Sequence, residues 1–338
     1  MNKILVVNVN WMGDVIFSSP VFRALKETYP GASVTCLAVP RVKEILESID
    51  GIDEIIIYDD RGRHRHPLAK WGLINEIRKR KFDTAFLLHR SLTRALLVFL
   101  SGIPRRVGYG TKAGGIFLTD NVKLLSPPVH RSDEYCRVIE TLGVKVHDRT
   151  TVLKVHAASR KEVEEILRSQ GIKDEDPFIV VHPGANWDLK RWPAENFACL
   201  INELTIKLSW KVVVAGSKED GPLVQKIIQN LKSPPVILTG RTNLKQLIAL
   251  MERARIVISA DSGPLHLAGS VGTSAVALFG PTRPEITGPR GRGRMVILKQ
   301  DVGCNRQACY HLQCPDNICM QALTVESVLD AIEQISNS

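Results

Sequence analysis

The stretch ISADSGPLHLAGSVGTSAVALFGPT, residues 258–282, decides the fold that the sequence predicts. It begins within an apolar run, residues 255–259, and contains a second one, residues 275–279. Both are typical of buried strands, and residues 264–271 between them have the pattern of a helix. Strand, polar turn, helix and strand in this order form a βα unit of a parallel sheet.

The polar turn of this unit is a candidate site. Ligands of parallel sheets bind beyond the carboxyl ends of the strands, where Asp261, Ser262 and Gly263 lie. Gly263 permits close approach of the backbone, and Pro264 suits the first position of a helix. The N–H groups and the positive dipole end of that helix suit a phosphate, and His266 lies in its first turn. The alternative is an ordinary turn in which Asp261 or Ser262 caps the helix.

Length and composition limit the classes of protein. A chain of 338 residues favours two domains, and 44% hydrophobic with 24% charged residues describes a globular protein. The net charge of +10 favours anionic partners, namely phosphorylated small molecules, an acidic membrane surface or nucleic acid. Nucleic acid is not expected, because aromatic interleaving, zinc-finger spacing and heptads are missing. No apolar run approaches the ~20 residues that span a bilayer, so we expect a cytoplasmic protein.

The positive charge is concentrated in the first half of the chain. Thirteen lysines and arginines lie within residues 61–112, and only Glu76 and Asp83 oppose them. Residues 78–81 are explained as a solvated helix end, where cations offset the dipole. Residues 61–66 have no apolar period and are predicted to form an exposed basic arm.

Strands and helices alternate in both halves, which predicts an α/β fold of two Rossmann-like, doubly wound domains facing a central cleft. The predicted strands are residues 3–8, 33–39, 54–58, 83–89, 105–109, 178–182, 211–215, 236–238, 255–259 and 275–279. The main predicted helices are residues 18–27, 41–48, 68–80, 92–101, 133–142, 159–170, 193–208, 244–253, 264–271 and 325–335. The polar segment 144–177 is interpreted as the linker.

Three further stretches follow predicted strands. The loop 10–14 ends with Gly13 and Asp14; it matches neither GxGxxG nor Walker A, and Asp14 is either a helix cap or a general base. Lys190 precedes a helix at a sheet edge, where a cation can neutralise a departing diphosphate, whereas Trp192 is expected in the core. Asp220 is suited to hold ribose hydroxyls, although it is a weak signal alone.

Four motifs taken together identify a resemblance to a known family. They are NWMGD (10–14), PGA with KRWP (183–185 and 190–193), DSG with HLA (261–263 and 266–268) and LFGPT (278–282). Their order and spacing resemble the ADP-heptose:lipopolysaccharide heptosyltransferases of glycosyltransferase family nine, and most closely the type that adds the second heptose of the inner core. The resemblance covers nearly the whole chain.

The resemblance implies a GT-B fold and an inverting transfer of heptose from ADP-heptose to a heptose on the Kdo–lipid A core. It implies an acceptor domain at residues 1–155, a donor domain at 172–320, and a C-terminal helix, 324–338, that packs back on the first domain. It implies Asp14 as catalytic base and, for the donor, Gly13, Lys190, Asp220 (with Glu219 adjacent), Thr242, Asp261, Ser262, Gly263 and His266. The phosphorylated, membrane-bound acceptor suits Arg61, Arg63 and Arg65, and with them a peripheral location at the cytoplasmic face of the inner membrane.

The remaining expectations concern cofactors and alternatives. No DxD pair with surrounding ligands is evident, so the reaction is expected to need no metal and no other cofactor. Cys304, Cys309, Cys314 and Cys319 recur every five residues and are either a zinc site or free or redox-active thiols, while Cys36, Cys136 and Cys199 are expected to be buried. Two alternatives remain: another GT-B nucleotide-sugar enzyme such as an epimerase or a transferase for another sugar, and a non-catalytic nucleotide-binding protein.

Overall fold

Two units make up the chain in the computed structural model, which describes residues 1–110, 114–207, 210–304 and 314–337. The first unit spans Met1–Lys154 and the second Val155–Ser338. Each unit has its own sheet.

The first unit is built on a parallel sheet, which has six strands among the described residues. These strands are β1 (Lys3–Val7), β2 (Ser33–Ala38), β3 (Glu54–Ile57), β4 (Thr84–Leu87), β5 (Arg105–Tyr109) and β6 (Asp120–Val122). Their order is β3-β2-β1-β4-β5-β6, so the direction of winding reverses between β1 and β4. The central strands are apolar on both faces, as a sheet covered by helices on both sides requires.

The helices of the first unit are α1 (Met12–Phe17), α2 (Ser19–Thr28), α3 (Lys43–Leu46), α4 (Pro67–Arg80), α5 (Leu92–Leu100) and α6 (Arg131–Glu140). One core layer lies between the sheet and the inner faces of α4 and α5, to which Leu73, Ile77 and Val98 contribute buried side chains. Helix α6 packs against α1 and α2.

The second unit repeats this arrangement. Its described strands are β7 (Phe178–His182), β8 (Lys211–Val214), β9 (Val236–Ile237), β10 (Ile256–Ala260), β11 (Ser274–Leu278) and β12 (Met295–Leu298). They pair in parallel in the order β12-β11-β10-β7-β8-β9, and the winding reverses between β7 and β10. Both sheets therefore have the strand order of a Rossmann-like fold, as the alternating sequence pattern predicts.

The helices of the second unit are α7 (Ala157–Ser169), α8 (Ala194–Lys207), α9 (Gly221–Ile228), α10 (Leu244–Arg253), α11 (Gly263–Ser270), α12 (Pro284–Thr287), α13 (Ile318–Gln321) and α14 (Val325–Ser336). Trp192 is buried in the core as expected, and its Nε1 donates to the main-chain oxygen of Leu323 at 2.8 Å.

The last helix, α14, contributes to the core of the second unit, and its expected packing on the first domain stays a prediction. Val328, Ala331 and Ile332 lie buried in the core cluster of the second unit, and α14 contacts α8, β11 and β12. The apolar stripe of an amphipathic helix is buried against the nearest matching core, which here is its own unit. Helix α7, expected in the linker, likewise packs against α10 of the second unit.

Several local predictions need correction. The predicted loop 10–14 is helical from Met12 onward, so Asp14 lies in the first turn of α1. The predicted helix 41–48 is a 3-10 turn followed by the four-residue helix α3. The edge strands β6 and β12 were not predicted, because short and only partly buried strands give weak apolar patterns. Cys36 and Cys136 are buried as expected, but Cys199 is exposed.

Candidate active site

The predicted phosphate site lies at the carboxyl edge of the second sheet, where β10 leads into α11. Asp261 follows β10, Ser262 is the N-cap residue with an extended backbone, and α11 begins at Gly263. Pro264 occupies the first turn, where its missing N–H is not required. The neighbouring strands β7 and β10 mark the reversal of winding, which is where open α/β sheets bind ligands. An anion beyond this edge would meet the N–H groups and the positive dipole end of α11.

Asp261 forms a buried ion pair with Lys190. The Nζ of Lys190 lies 2.7 Å from the Oδ2 atom of Asp261 and 3.2 Å from its main-chain oxygen. The Nε2 of His266 lies 3.5 Å from Oδ1, and the hydroxyl of Thr287 donates to Oδ2 at 3.4 Å. The same Nζ lies 5.0 Å from the centre of the Trp187 ring. Donors thus surround the Asp261 carboxylate, and Lys190 is held at the N-terminal end of α11.

The charge state of Asp261 follows from these contacts. Its side chain is only 4% exposed, and burial alone would raise the pKa of the carboxyl group. The hydrogen bond from His266 and the charge of Lys190 act in the opposite direction and hold the pKa of Asp261 well below its usual range. The carboxylate is therefore ionised, and it holds the Lys190 side chain in position.

A neutral histidine lies next to this pair, at the end of β7. The Nδ1 of His182 lies 3.2 Å from the hydroxyl of Ser259 and 3.4 Å from that of Ser262, and the two hydroxyls are 2.9 Å apart. Burial lowers the pKa of His182 to about 4, so the imidazole is neutral at neutral pH. These contacts link the turn after β10 to β7. Sequence reasoning assigned no role to His182 or Ser259, because both belong to apolar strand patterns.

Asp220 has a structural partner of its own. Its Oδ2 atom accepts hydrogen bonds from the main-chain N–H of Ser217 at 2.8 Å and from the Ser217 hydroxyl at 2.9 Å. The first of these bonds is one half of a capping box, which organises the turn that leads into α9. A Cβ atom on Gly184 would overlap the Asp220 carboxylate, so the turns after β7 and β8 are closely packed. The ribose contact expected of Asp220 stays a prediction, and Glu219 beside it is exposed.

Thr242 lies two residues before α10, just after the edge strand β9, and is partly buried. Lys190, Asp261, Ser262, Gly263 and His266 are thus gathered in one cluster of the second unit. Asp220 and Thr242 follow neighbouring strands at the same edge of the sheet. Their contacts with a donor nucleotide stay predictions.

Asp14 lies in the first turn of α1 in the first unit, directly after Gly13. The hydroxyl of Tyr135, on α6, donates to its Oδ1 atom at 2.8 Å. Burial, followed by the charge of Asp14, raises the pKa of Tyr135 well above its usual value, so this hydroxyl remains protonated. The position in the first turn also favours a negative charge, because the helix dipole is positive there. Asp14 is therefore an oriented carboxylate at the carboxyl edge of the first sheet.

Two arginines hold the segment that leads into α1. Arg94 is 3% exposed and donates to the main-chain oxygen of Asn8 and to the Asn10 side chain, both at 2.6 Å. Arg41 donates to the main-chain oxygen of Asn10 at 2.8 Å and stacks 4.1 Å from the centre of the exposed Trp11 ring. Sequence patterns do not reveal these contacts or the role of Tyr135, because the partners are far apart in the chain.

The basic segment, residues 61–66, is more ordered than the predicted arm. The carboxylate of Asp59 accepts from the main-chain N–H groups of Gly62 and Arg63 at 2.9 and 3.0 Å. His64 is buried, and its Nδ1 accepts from the main-chain N–H of Asp59 at 3.0 Å. Arg61, Arg63 and Arg65 are exposed, as expected. Their role in acceptor binding stays a prediction.

The cysteine cluster falls partly outside the described residues, since Cys309 lies there. Cys304, Cys314 and Cys319 are partly buried. In the described part of the chain, no group of three or more His, Cys, Asp and Glu side chains is arranged to hold a metal ion. The choice between zinc and free or redox-active thiols therefore stays open.

Comparisons with known proteins agree with the resemblance. The profile of glycosyltransferase family 9 (heptosyltransferase) matches residues 70–317. Lipopolysaccharide heptosyltransferase 2 of Salmonella typhimurium is 27% identical over 312 residues, which cover 87% of each chain. A glycosyl transferase family 9 structure from Veillonella parvula is 27% identical with a TM-score of 0.89, covering 99% of this chain and 97% of that one. The structure of E. coli ADP-heptose LPS heptosyltransferase II is 24% identical with a TM-score of 0.82 and 98% coverage of both chains.

These matches agree with the fold described above, in which two six-stranded parallel sheets among the described residues correspond to the GT-B architecture. Among the described residues, no helix combines the length and the apolar composition that a bilayer crossing needs. The family profile covers well over half of the chain. The chain therefore belongs to glycosyltransferase family 9, the heptosyltransferases, and is a glycosyltransferase.

Proposed function

We propose that this enzyme transfers L-glycero-D-manno-heptose from ADP-heptose to a heptose of the lipopolysaccharide inner core, with inversion at the anomeric carbon. Membership of the heptosyltransferase family supports the reaction class. The observation that carries the proposal is the Lys190–Asp261 ion pair at the N-terminus of α11, at the reversal point of the second sheet. Such an edge is suited to hold the diphosphate of a nucleotide sugar.

The donor half of the mechanism concerns the leaving group. As the bond between the anomeric carbon and the phosphate oxygen breaks, negative charge grows on the departing ADP. Lys190 and the N–H groups of Ser262 and Gly263 stabilise that charge. Because Asp261 already orients Lys190, the cation needs little reorganisation during the reaction. The neutral imidazole of His182 supports the turn without adding charge.

The acceptor half requires a base. Asp14 removes the proton from the acceptor hydroxyl, whose oxygen then attacks the anomeric carbon as ADP leaves from the opposite face. Tyr135 fixes the Oδ1 atom of Asp14, so the carboxylate has a defined direction. The proton ends on Asp14, the new glycosidic bond forms, and one ADP is released for each heptose transferred. No metal or other cofactor takes part in this scheme.

The acceptor is phosphorylated and lipid-anchored in this proposal. Arg61, Arg63 and Arg65 are exposed cations on an ordered segment, which suits contact with its phosphate groups. The enzyme then works as a peripheral protein at the cytoplasmic face of the inner membrane. Its net charge of +10 is consistent with an anionic surface. The epimerase and non-catalytic alternatives are not favoured, because the family is one of heptosyltransferases.

The direct test is product analysis. The protein is incubated with ADP-heptose and purified mono-heptosylated Kdo–lipid A, and the product is examined by mass spectrometry for the addition of one heptose. Asp14→Asn is the matched variant, expected to lower kcat by about 10²–10⁴ while ADP binding by calorimetry is retained. The assay is repeated with EDTA, which should leave the rate unchanged. Absence of product from the wild-type protein would reject the proposed acceptor, and a near-normal rate of Asp14→Asn would remove Asp14 from the mechanism.

A further inference from the structure

The outer face of α5 in the first unit is apolar, which is unusual for a helix at the surface. Its sequence, LTRALLVFL, contains one charged residue, Arg94, and that side chain is turned inward and buried. On the outer face, Leu92, Phe99 and Leu100 are 45%, 44% and 36% exposed. A helix that contacts only water has polar residues on this face.

The apolar surface continues on both sides of α5. Helix α4 packs beside it and exposes Leu68 and Trp71, which lie three residues apart and therefore on one side of that helix. On the other side, the turn Gly115–Phe117 packs against α5 and leaves Ile116 75% exposed. We call these six residues the apolar face: Leu68, Trp71, Leu92, Phe99, Leu100 and Ile116.

Specific contacts hold this surface together. Arg78 donates from Nη2 to the main-chain oxygen of Leu100 at 2.6 Å, and its guanidinium lies 5.5 Å from the centre of the Trp71 ring. The rings of Phe99 and Phe117 are 5.4 Å apart. The apolar side chains are thus fixed on ordered elements, and a partner would meet them in one arrangement.

Cations border the apolar face. The exposed ones among the described residues of α4, of the basic segment and of β5 are Arg61, Arg63, Arg65, Arg78, Lys79 and Arg105. The nearby acids Glu76 and Asp120 are in ion pairs with Arg80 and Arg105, and the exposed Asp60 directly precedes the basic segment. The border therefore presents a net positive charge around an apolar centre.

We propose that the apolar face docks on an anionic phospholipid surface. Trp, Phe and Leu side chains enter the boundary between headgroups and acyl chains, and the surrounding arginines and lysines attract anionic headgroups. A second copy of this chain is a poor occupant, because its own cations would face those of the first. The proposal deepens the peripheral location in the proposed function, but the surface is defined without reference to catalysis. It also brings the basic segment, which directly precedes α4, to the lipid boundary.

The test measures binding to vesicles that contain no acceptor. Wild-type protein is sedimented with vesicles of phosphatidylethanolamine and phosphatidylglycerol, and in parallel with vesicles of phosphatidylcholine alone. The double variant Trp71→Ser, Leu92→Ser is compared with Ile206→Ser, a control in the second unit whose side chain is 66% exposed. We expect the double variant to lose about tenfold or more in partitioning to the anionic vesicles, and the control to bind as wild type does. Circular dichroism melts establish that all variants are folded.

A second readout does not depend on the stability of the variants. Brominated phospholipids quench tryptophans that reach the acyl region, so wild-type fluorescence should fall on binding. Trp71→Phe should keep binding and lose much of that quenching. The proposal is overturned if the double variant binds anionic vesicles as wild type does, or if wild type binds both kinds of vesicle equally. It is also overturned if light scattering shows that wild type and the Ile206→Ser control are dimers and the double variant is a monomer.

These outcomes are separable from failure of the proposed function. Heptose transfer to a delipidated, water-soluble acceptor should be unchanged in the double variant, because Trp71 and Leu92 take no part in the chemistry. Transfer to an acceptor embedded in vesicles should fall. In one outcome, wild type transfers no heptose to either acceptor while its vesicle binding still depends on the apolar face. That result would reject the proposed reaction and retain the proposed docking surface.

Discussion

Replacing Lys190 by alanine tests the centre of the donor site, because two measurable properties depend on this one side chain. Its Nζ lies 2.7 Å from the Asp261 carboxylate, and the two side chains are 17% and 4% exposed. Removing one partner of a buried ion pair costs about 3–5 kcal/mol, since the other charge is left in a poorly solvated position. His266 remains beside Asp261 in the variant, so we expect a cost just below this range, about 2–3 kcal/mol.

The loss should appear as a lower melting temperature of the second unit by calorimetry. For 150–250 residues, 1 kcal/mol corresponds to about 2–4 °C, which gives a fall of about 4–12 °C. The effect should depend on pH with a defined sign. Because the pKa of Asp261 is held below its usual value, the pair stabilises the fold above about pH 4 and this contribution is lost as the pH falls further. The difference between variant and wild type is therefore largest near neutral pH and shrinks in acid.

The same variant should bind ADP about 10–100-fold more weakly, which corresponds to the loss of one charge-assisted contact of about 1.5–3 kcal/mol. Lys211→Ala is the matched control. Lys211 also pairs with an aspartate, Asp176, at 3.0 Å in the second unit, but its side chain is 45% exposed, so about 1 kcal/mol or less is expected. If Lys190→Ala has the same melting temperature and the same ADP affinity as Lys211→Ala, the ion pair does not stabilise the turn and Lys190 does not bind the diphosphate.

Three further variants test other parts of the structure. Tyr135→Phe should lower kcat about tenfold with unchanged ADP affinity, because the Asp14 carboxylate loses the hydrogen bond that orients it; a kcat equal to that of wild type would exclude this role. Gly184→Ala should destabilise the second unit by about 1–3 kcal/mol in thermal melts, because the added Cβ overlaps the Asp220 carboxylate; an unchanged melt would mean that the turn adjusts. Replacing the three arginines of the basic segment by glutamine should raise KM for the phosphorylated acceptor several-fold and weaken its salt dependence, with KM for ADP-heptose as the internal control.

The sequence predicted the architecture because the signals for it are local. Continuous apolar runs of about five residues, such as β7 and β10, mark strands buried on both faces, and the helices between them show the 3.6-residue period. The order of elements then limits the topology to a doubly wound sheet in each half. Elements with weak patterns were missed: α1 is short and follows directly on a loop, and β12 is only partly buried.

The candidate site was predictable where a turn follows a strand. Asp261, Ser262 and His266 were found because a polar turn between an apolar strand and a helix has a physical meaning at a sheet edge. Their partners were not all found in this way. By sequence, Tyr135 is an ordinary residue of an amphipathic helix. Only the structure shows that its hydroxyl lies 2.8 Å from the Oδ1 atom of Asp14, which is 121 residues away in the chain.

Each half of this enzyme has its own sheet, its own apolar interior and the same strand order, and the boundary falls between Lys154 and Val155. Such a division permits modular exchange. A chimera joined at this boundary can combine the first half of this chain with the second half of a relative, and the junction interrupts no strand or helix. In the proposed division of labour, the first half binds the sugar acceptor and the second half binds the nucleotide sugar, so each preference would be transplanted with its own half.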